Sequence, residues 1–99
     1  MNDTRLKLME AIARRRTVTA RYNGNDMRLA PHLMFERHGA LFVSALNMSK
    51  NWRSDDERRL GQFKLDGLAA TELEEEEFDP LPSFEPVAPG SDDTLLLAV

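Results

Sequence analysis

The hydrophobic pattern of this chain changes once, near residue 16, from a helical period to an alternating one, and no other feature limits the fold more. Before that point the apolar residues recur at steps of three and four positions, namely Leu6, Leu8, Met9, Ile12 and Ala13. This spacing predicts one amphipathic helix over residues 4–15, capped by Asp3 or Thr4. Val18, Ala20 and Tyr22 then alternate with polar residues, which predicts a strand. Because helical and strand segments do not alternate afterwards, a doubly wound α/β fold is excluded.

Turn residues divide the rest of the chain into short strands. The segment Asn23–Asp26 is a strong hairpin signal, since Asn and Gly tolerate positive φ. We expect Pro31 to interrupt the returning strand and the pair His38-Gly39 to turn the chain again. The nearly continuous apolar run Leu41–Leu46 predicts a central strand covered on both faces. Further strands are expected over residues 60–65, 68–73 and 94–99, with a bend at Gly67. One N-terminal α-helix and five or six short strands therefore predict a mainly β fold, a small bent sheet or barrel.

Composition removes several classes of protein. At 99 residues the chain has room for one domain. It has no Cys and only two His, His32 and His38, which excludes disulfide scaffolds and thiol nucleophiles and leaves a metal site incomplete. Its longest apolar run, Leu95–Val99, is far shorter than the ~20 residues that cross a bilayer. Residues 1–4 lack the layout of a secretory signal. We therefore expect a cytoplasmic protein with no cofactor, no metal and no membrane segment.

The net charge of −4 conceals two oppositely charged parts. Residues 1–71 carry 13 basic and 8 acidic residues, a net charge of +5, whereas residues 72–99 carry 9 acidic and no basic residues, a net charge of −9. Prolines at positions 80, 82, 86 and 89 oppose regular structure. We therefore expect a domain over residues 1–79 and an extended Pro-rich acidic tail over residues 80–99 that ends in an apolar strand. The acidic run over residues 72–77 either covers the basic part as a lid or keeps an edge strand soluble.

No arrangement of residues indicates catalysis. The carboxylates of Asp55, Asp56 and Glu57 lie in a polar loop, without the orienting partner that acid–base catalysis requires. The sequence has no Gly-rich phosphate loop and no nucleophile elbow. We expect that the chain is not an enzyme.

The motifs, taken in order, resemble those of the WYL domain, a bacterial module with a small Sm-like or SH3-like β-barrel. The matching segments are Glu10-Ala11-Ile12, Val18–Tyr22, Leu29-Ala30-Pro31, Leu41-Phe42-Val43 in place of the Trp-Tyr-Leu triplet, and Phe63–Leu68. They cover roughly residues 8–80, and we expect the module to stand alone, since no helix-turn-helix segment precedes it. The resemblance implies a regulatory, ligand-sensing domain of transcription regulation that binds nucleic acid or a nucleotide-like effector in a basic pocket. It does not imply an enzyme.

The chain departs from that family at three positions that commonly hold arginine. Met27, Gly61 and Gly67 stand there, whereas Tyr22 and the basic Lys64 match. Arg28 is next to Met27, but neighbouring strand residues point to opposite faces, so Arg28 replaces the missing arginine only if a bulge shifts the register. Phosphate recognition relies on arginine side chains, so these departures bear directly on the pocket.

Five residues form the candidate ligand-binding set: Tyr22, Arg28, Lys64, Arg21 and Trp52. Either the hydroxyl of Tyr22 reaches a ligand, or the ring only covers the core and the hydroxyl bonds to the backbone. Trp52, in a polar loop between two cations, either stacks on a base, anchors a partner, or folds back over the end of the barrel.

Two hypotheses of function follow. The first is a non-enzymatic WYL-like sensing module that binds single-stranded nucleic acid, a nucleotide or another anionic effector. The alternative is a protein-interaction or self-assembly module that has lost the anion pocket and forms a homo-oligomer through the apolar strand over residues 94–99. A terminal strand that closes its own barrel is the third possibility.

Overall fold

A computed structural model describes residues 3–54 and 57–99 of the chain. Its elements are the helix α1 (Thr4–Arg14) and the strands β1 (Arg16–Tyr22), β2 (Asn25–Arg37), β3 (Ala40–Asn47), β4 (Leu60–Lys64), β5 (Leu68–Glu77) and β6 (Thr94–Ala98). The prediction of a mainly β fold with an N-terminal helix is confirmed. Residues 1–2 of the N-terminal segment and the loop carboxylates Asp55 and Asp56 lie outside the described residues.

The helix begins and ends as its sequence predicts. The Leu6 backbone N–H donates to Asp3 Oδ1 over 3.1 Å, so Asp3 is the N-cap. Arg15 ends the helix in the left-handed conformation, with φ of 56°, and β1 begins at the next residue. Within the predicted apolar stripe, Leu8 and Ile12 are fully buried against the sheet, whereas Leu6, Met9 and Ala13 are exposed.

The strands form one antiparallel sheet in the order β4-β3-β2-β1-β5. The turn at Asn23 and Gly24 has positive φ at both residues, 51° and 82°, as its sequence predicts for a two-residue hairpin. His38 and Gly39 turn the chain in the same way between β2 and β3. The covered central strand predicted over Leu41–Leu46 is confirmed over Val43–Leu46, which are all buried, whereas Leu41 and Phe42 are half-buried.

The prediction that Pro31 interrupts its strand is wrong. β2 runs through Pro31 as one strand of 13 residues. It pairs with β1 as far as Leu29 and with β6 from Leu33 onward, so the proline lies where the strand changes partner. The ladder to β3 also shifts register between Pro31 and Leu33. A proline is tolerated in a strand at such an irregularity, because no regular ladder bond has to be broken.

The sheet is strongly bent but not closed. Its two ends are β4 and β5, and no ladder joins them in the described part of the chain. The bend nevertheless brings Tyr22 of β1 against Phe63 of β4, edge to face, with ring centroids 5.0 Å apart. The main core, which includes Val18 and Leu29, lies on this concave face beneath α1.

The segment between β5 and β6, residues 78–93, lies against the opposite face of the sheet, and we call it the strap. Leu81 of the strap is buried with Ala30 and Leu46 in a second apolar cluster. Phe78 and Phe84 of the strap pack against the same cluster. After the strap the chain returns as β6, which pairs with β2 of its own sheet.

Candidate anion-binding site

The polar face of β1 positions the first candidate residues. Val18, Ala20 and Tyr22 point into the concave core, so Thr19 and Arg21 occupy the opposite face. Arg28 lies directly across from Thr19 on β2, and the acidic strand β5 flanks β1 on its other side. Three neighbouring strands therefore present threonine, arginine and glutamate side chains on one face.

Arg28 is bound by two carboxylates of the acidic run. Its Nε donates to Glu74 Oε1 over 2.7 Å, and its guanidinium also pairs with Glu76. The hydroxyl of Thr17 donates to the same Glu74 oxygen over 2.7 Å. The hydrogen bond from Arg28 lowers the pKa of Glu74, against the opposing effect of burial, and the bond from Thr17 lowers it further. Glu74 and Glu76 thus pair with a basic group; Glu74 is half-buried, and Glu75 and Glu76 are both exposed.

Arg21 and Arg28 line one cavity of about 400 Å³. Thr19 and Ser49 also line it, and Ser49 is held in place because its Oγ accepts the Arg28 backbone N–H over 2.9 Å. Arg21 is paired in turn with Asp26, with 2.9 Å between Nε and Oδ1. The cavity therefore combines two guanidinium groups and two hydroxyl groups, the donors that a phosphate accepts from, with carboxylates on each arginine.

Tyr22 lies on the other face from this cavity and closes the core. Its ring also lies over Gly67, where an added Cβ would be 2.8 Å from Tyr22 Cε1. No side chain fits there without moving the ring. The arginine that the resemblance implies at residue 67 would therefore require a different position of the Tyr22 ring.

Lys64 and Trp52 do not line this cavity. Lys64 pairs with Phe42 on β3. Phe42 lies five residues, about 17 Å along the strand, from Asn47, and Asn47 pairs with Leu29, the residue next to Arg28. Trp52 folds back onto the second apolar cluster, and its Nε1 donates to the Asn47 carbonyl oxygen over 3.0 Å. The structure therefore brings Arg21 and Arg28 together and leaves the other three candidates elsewhere.

Sequence reasoning missed His32, which joins the strap to the sheet. The side chain is fully buried, and its Nε2 accepts the Leu81 backbone N–H over 3.0 Å. Nδ1, 2.8 Å from the Ala30 carbonyl oxygen, therefore carries the proton and donates it. Phe78 and Phe84 flank the ring at 5.0 and 5.2 Å. A histidine within the apolar run of β2 was the only local signal of this role.

A second anchor holds the far end of the strap. Arg37 donates from Nε and Nη2 to the two oxygens of Asp93, each over 2.7 Å. This fork lowers the pKa of Asp93. The guanidinium also lies over the stacked rings of Phe35 and Phe42, 5.1 and 5.3 Å from their centroids.

No protein-family model matches the sequence, and no curated protein matches it significantly. Among the described residues no helix is long and apolar enough to cross a membrane. Within the same residues no three acidic or histidine side chains gather as metal ligands would.

Proposed function

We propose that this chain is a WYL-like regulatory module, bacterial and cytoplasmic, that senses an anionic effector without catalysing a reaction. The proposed effector is single-stranded nucleic acid or a nucleotide, bound through phosphate. One observation carries the proposal, namely that Arg21 and Arg28 line one cavity together with two hydroxyl groups. The sheet is open, but it bends far enough to bring Tyr22 against Phe63, and this bend is what supports an Sm-like architecture in the proposal.

Binding in this proposal is an exchange of anions on Arg28. A phosphate offers the guanidinium the same paired oxygens as the carboxylates of Glu74 and Glu76, so it competes with them directly. Once displaced, these carboxylates would no longer hold the C-terminal half of β5 to Arg28. The ladder between β5 and β1 already shifts register twice. Because β5 continues directly into the strap at Phe78, a movement of β5 on effector binding would be passed to the strap through the backbone.

Replacing Arg28 should weaken effector binding, and replacing Lys64 should not. We expect Arg28→Gln to lower the affinity for a fluorescein-labelled oligothymidylate by about tenfold, the loss of one charge-assisted contact. The slope of log affinity against log salt between about 50 and about 200 mM should also fall by about 0.7, one phosphate contact. Lys64→Gln is the matched control, because it removes one charge on another part of the sheet. Fluorescence anisotropy measures both. A loss of binding in Lys64→Gln with none in Arg28→Gln would overturn the site.

Self-assembly is a second candidate function, and the outer edge of β6 favours it. In the described residues β6 pairs with β2 alone, so the strand has a partner within its own chain and one open edge. The end strands β4 and β5 carry Lys64 and the acidic run, which discourage further pairing, whereas residues 94–98 carry no charge. Leu96 is 48% exposed on this strand. A second copy of the chain pairing along β6 would cover it.

A charge on β6 tests this candidate. If the chain self-assembles through β6, the native protein elutes as an oligomer and Leu96→Lys elutes as a monomer in size exclusion with light scattering. Val87→Lys is the control, since Val87 is 59% exposed on the strap and lies outside β6. A monomeric native protein at high micromolar concentration, or an unaltered Leu96→Lys oligomer, would rule out assembly through β6.

A further inference from the structure

A second cavity, of about 260 Å³, lies between the strap and the outer face of the sheet. Its floor includes Leu33, Ser44, Leu60 and Gln62, and its roof includes Leu81, Phe84, Val87 and Pro89. Ser44 and Gln62 pair directly across β3 and β4, so their side chains lie on the same face of the sheet. The cavity is therefore an apolar space with one polar corner.

The two anchors of the strap keep this space from collapsing. His32 fixes the roof at Leu81, and Arg37 fixes the far end of the strap at Asp93. Between these points the roof follows a proline-containing backbone that is stiff at Pro86 and Pro89. The strap is therefore held at both ends, with an open space left between it and the floor.

The lining defines the chemistry of an occupant. Leu33, Leu60 and Phe84 offer apolar walls, and Ser44, only 6% exposed, offers a hydroxyl. Gln62 accepts a hydrogen bond from Arg37 Nη1 through its Oε1, so its amide N–H groups remain as donors. Arg58, Arg59, Ser83 and Glu85 complete the lining. An acceptor-bearing, negatively charged head group on a short apolar body matches these groups.

We infer that the space under the strap is a second ligand site, for a small amphipathic carboxylate. The apolar body lies between Leu33, Leu60 and Phe84, and the carboxylate accepts from Ser44 and Gln62 at the polar corner. The volume is below that of sites for drug-sized ligands, which begin at about 300 Å³, and favours molecules the size of a medium-chain fatty acid. This site shares no residue with the Arg28 cavity and does not depend on it.

Octanoate is the probe, and Trp52 is the reporter. Trp52 is the only tryptophan, and it packs in the same cluster as Leu60 and Phe84, which line the cavity. We expect octanoate to change the fluorescence of Trp52 saturably and octan-1-ol to bind at least tenfold more weakly. Ser44→Leu, which fills the floor, should abolish the response, and Gln62→Leu should remove the preference for octanoate over octanol.

Several results would overturn the inference. They are no saturable response, equal binding of octanol and octanoate, or an octanoate affinity that Ser44→Leu and Gln62→Leu leave unchanged. Gln62 is exposed, so Gln62→Leu gives a folded variant even if Ser44→Leu does not fold. Arg28→Gln should bind octanoate like the native protein. Failure of the Arg28 site therefore shows in oligonucleotide binding alone, and failure of this site shows in octanoate binding alone.

Discussion

Replacing His32 with leucine is expected to destabilise the chain by about 2–4 kcal/mol, because two buried backbone groups lose their partners. The Leu81 N–H and the Ala30 carbonyl both bond to the imidazole inside a region from which water is excluded. Leucine fills a similar space but bonds to neither group. Urea denaturation followed by circular dichroism measures the change in the free energy of unfolding.

The same histidine should make stability depend on pH. Burial lowers the pKa of His32 below its usual 6.5, partly opposed by the bond to the Ala30 carbonyl. Protonation would also turn Nε2 into a donor facing the Leu81 N–H. The unfolded chain therefore binds a proton below pH 6.5 that the folded chain does not. Stability is full above that pH and falls by about 1.4 kcal/mol per unit as the pH drops toward the pKa of the folded state.

Two variants isolate the contribution of His32 to that slope. His32→Gln keeps an acceptor for the Leu81 N–H and does not titrate, so its stability should be nearly flat between pH 5 and 6.5. His38→Asn is the control, because His38 is exposed with φ of 51°, a conformation that asparagine tolerates, and it should keep the native slope. The lowered pKa values of Glu74 and Asp93 act only below 4.5 and 3.8, outside this range. An equal slope in His32→Gln and the native chain would contradict the assignment.

Local features of the fold could be predicted from the sequence, and contacts between distant residues could not. The Asp3 cap and the Asn23-Gly24 turn follow from short-range chemistry and are confirmed. The position of Pro31 depends on β6, which joins β2 from the far end of the chain, so no local signal shows that the strand continues. Whether the sheet closes likewise depends on whether the end strands β4 and β5 pair, and the number of strands does not decide this.

The candidate site shows the same division. The predicted ligand-binding set joined Arg21 and Tyr22, whereas strand neighbours point to opposite faces and only Arg21 lines the cavity. The pairing of Arg28 with Glu74 joins residues that are 46 positions apart. Neither the lid nor the edge-strand interpretation of residues 72–77 identifies this pair. The bond from Leu81 to His32 spans 49 residues. Such pairs are set by the sheet order and not by any spacing within the sequence.

Removing the carboxylates that bind Arg28 is expected to strengthen effector binding by about tenfold, since an effector then no longer displaces a charge-assisted hydrogen bond. The variant is Glu74→Gln with Glu76→Gln. Glutamine at position 74 still offers an oxygen to the Thr17 hydroxyl, so the local structure of β5 is retained. Arg21 and the other residues that line the cavity are unchanged.

The matched control is Glu75→Gln with Glu77→Gln. It removes the same two charges from the same strand, and Glu75 and Glu77 are both exposed. General repulsion between the acidic run and a nucleic acid should weaken equally in both variants, because such repulsion depends on net charge and is screened by salt. Only the first variant frees Arg28.

The most direct test of the account is therefore an anisotropy titration of labelled oligothymidylate into the native protein and these two double variants at about 50 mM salt, where phosphate contacts are strongest. The account predicts the tightest binding in Glu74→Gln with Glu76→Gln, by about tenfold over the native protein, and a much smaller gain in the control. Equal affinities of the two variants, or no binding by any of the three proteins, would contradict the claim that Arg28 is an anion site held by its own acidic strand.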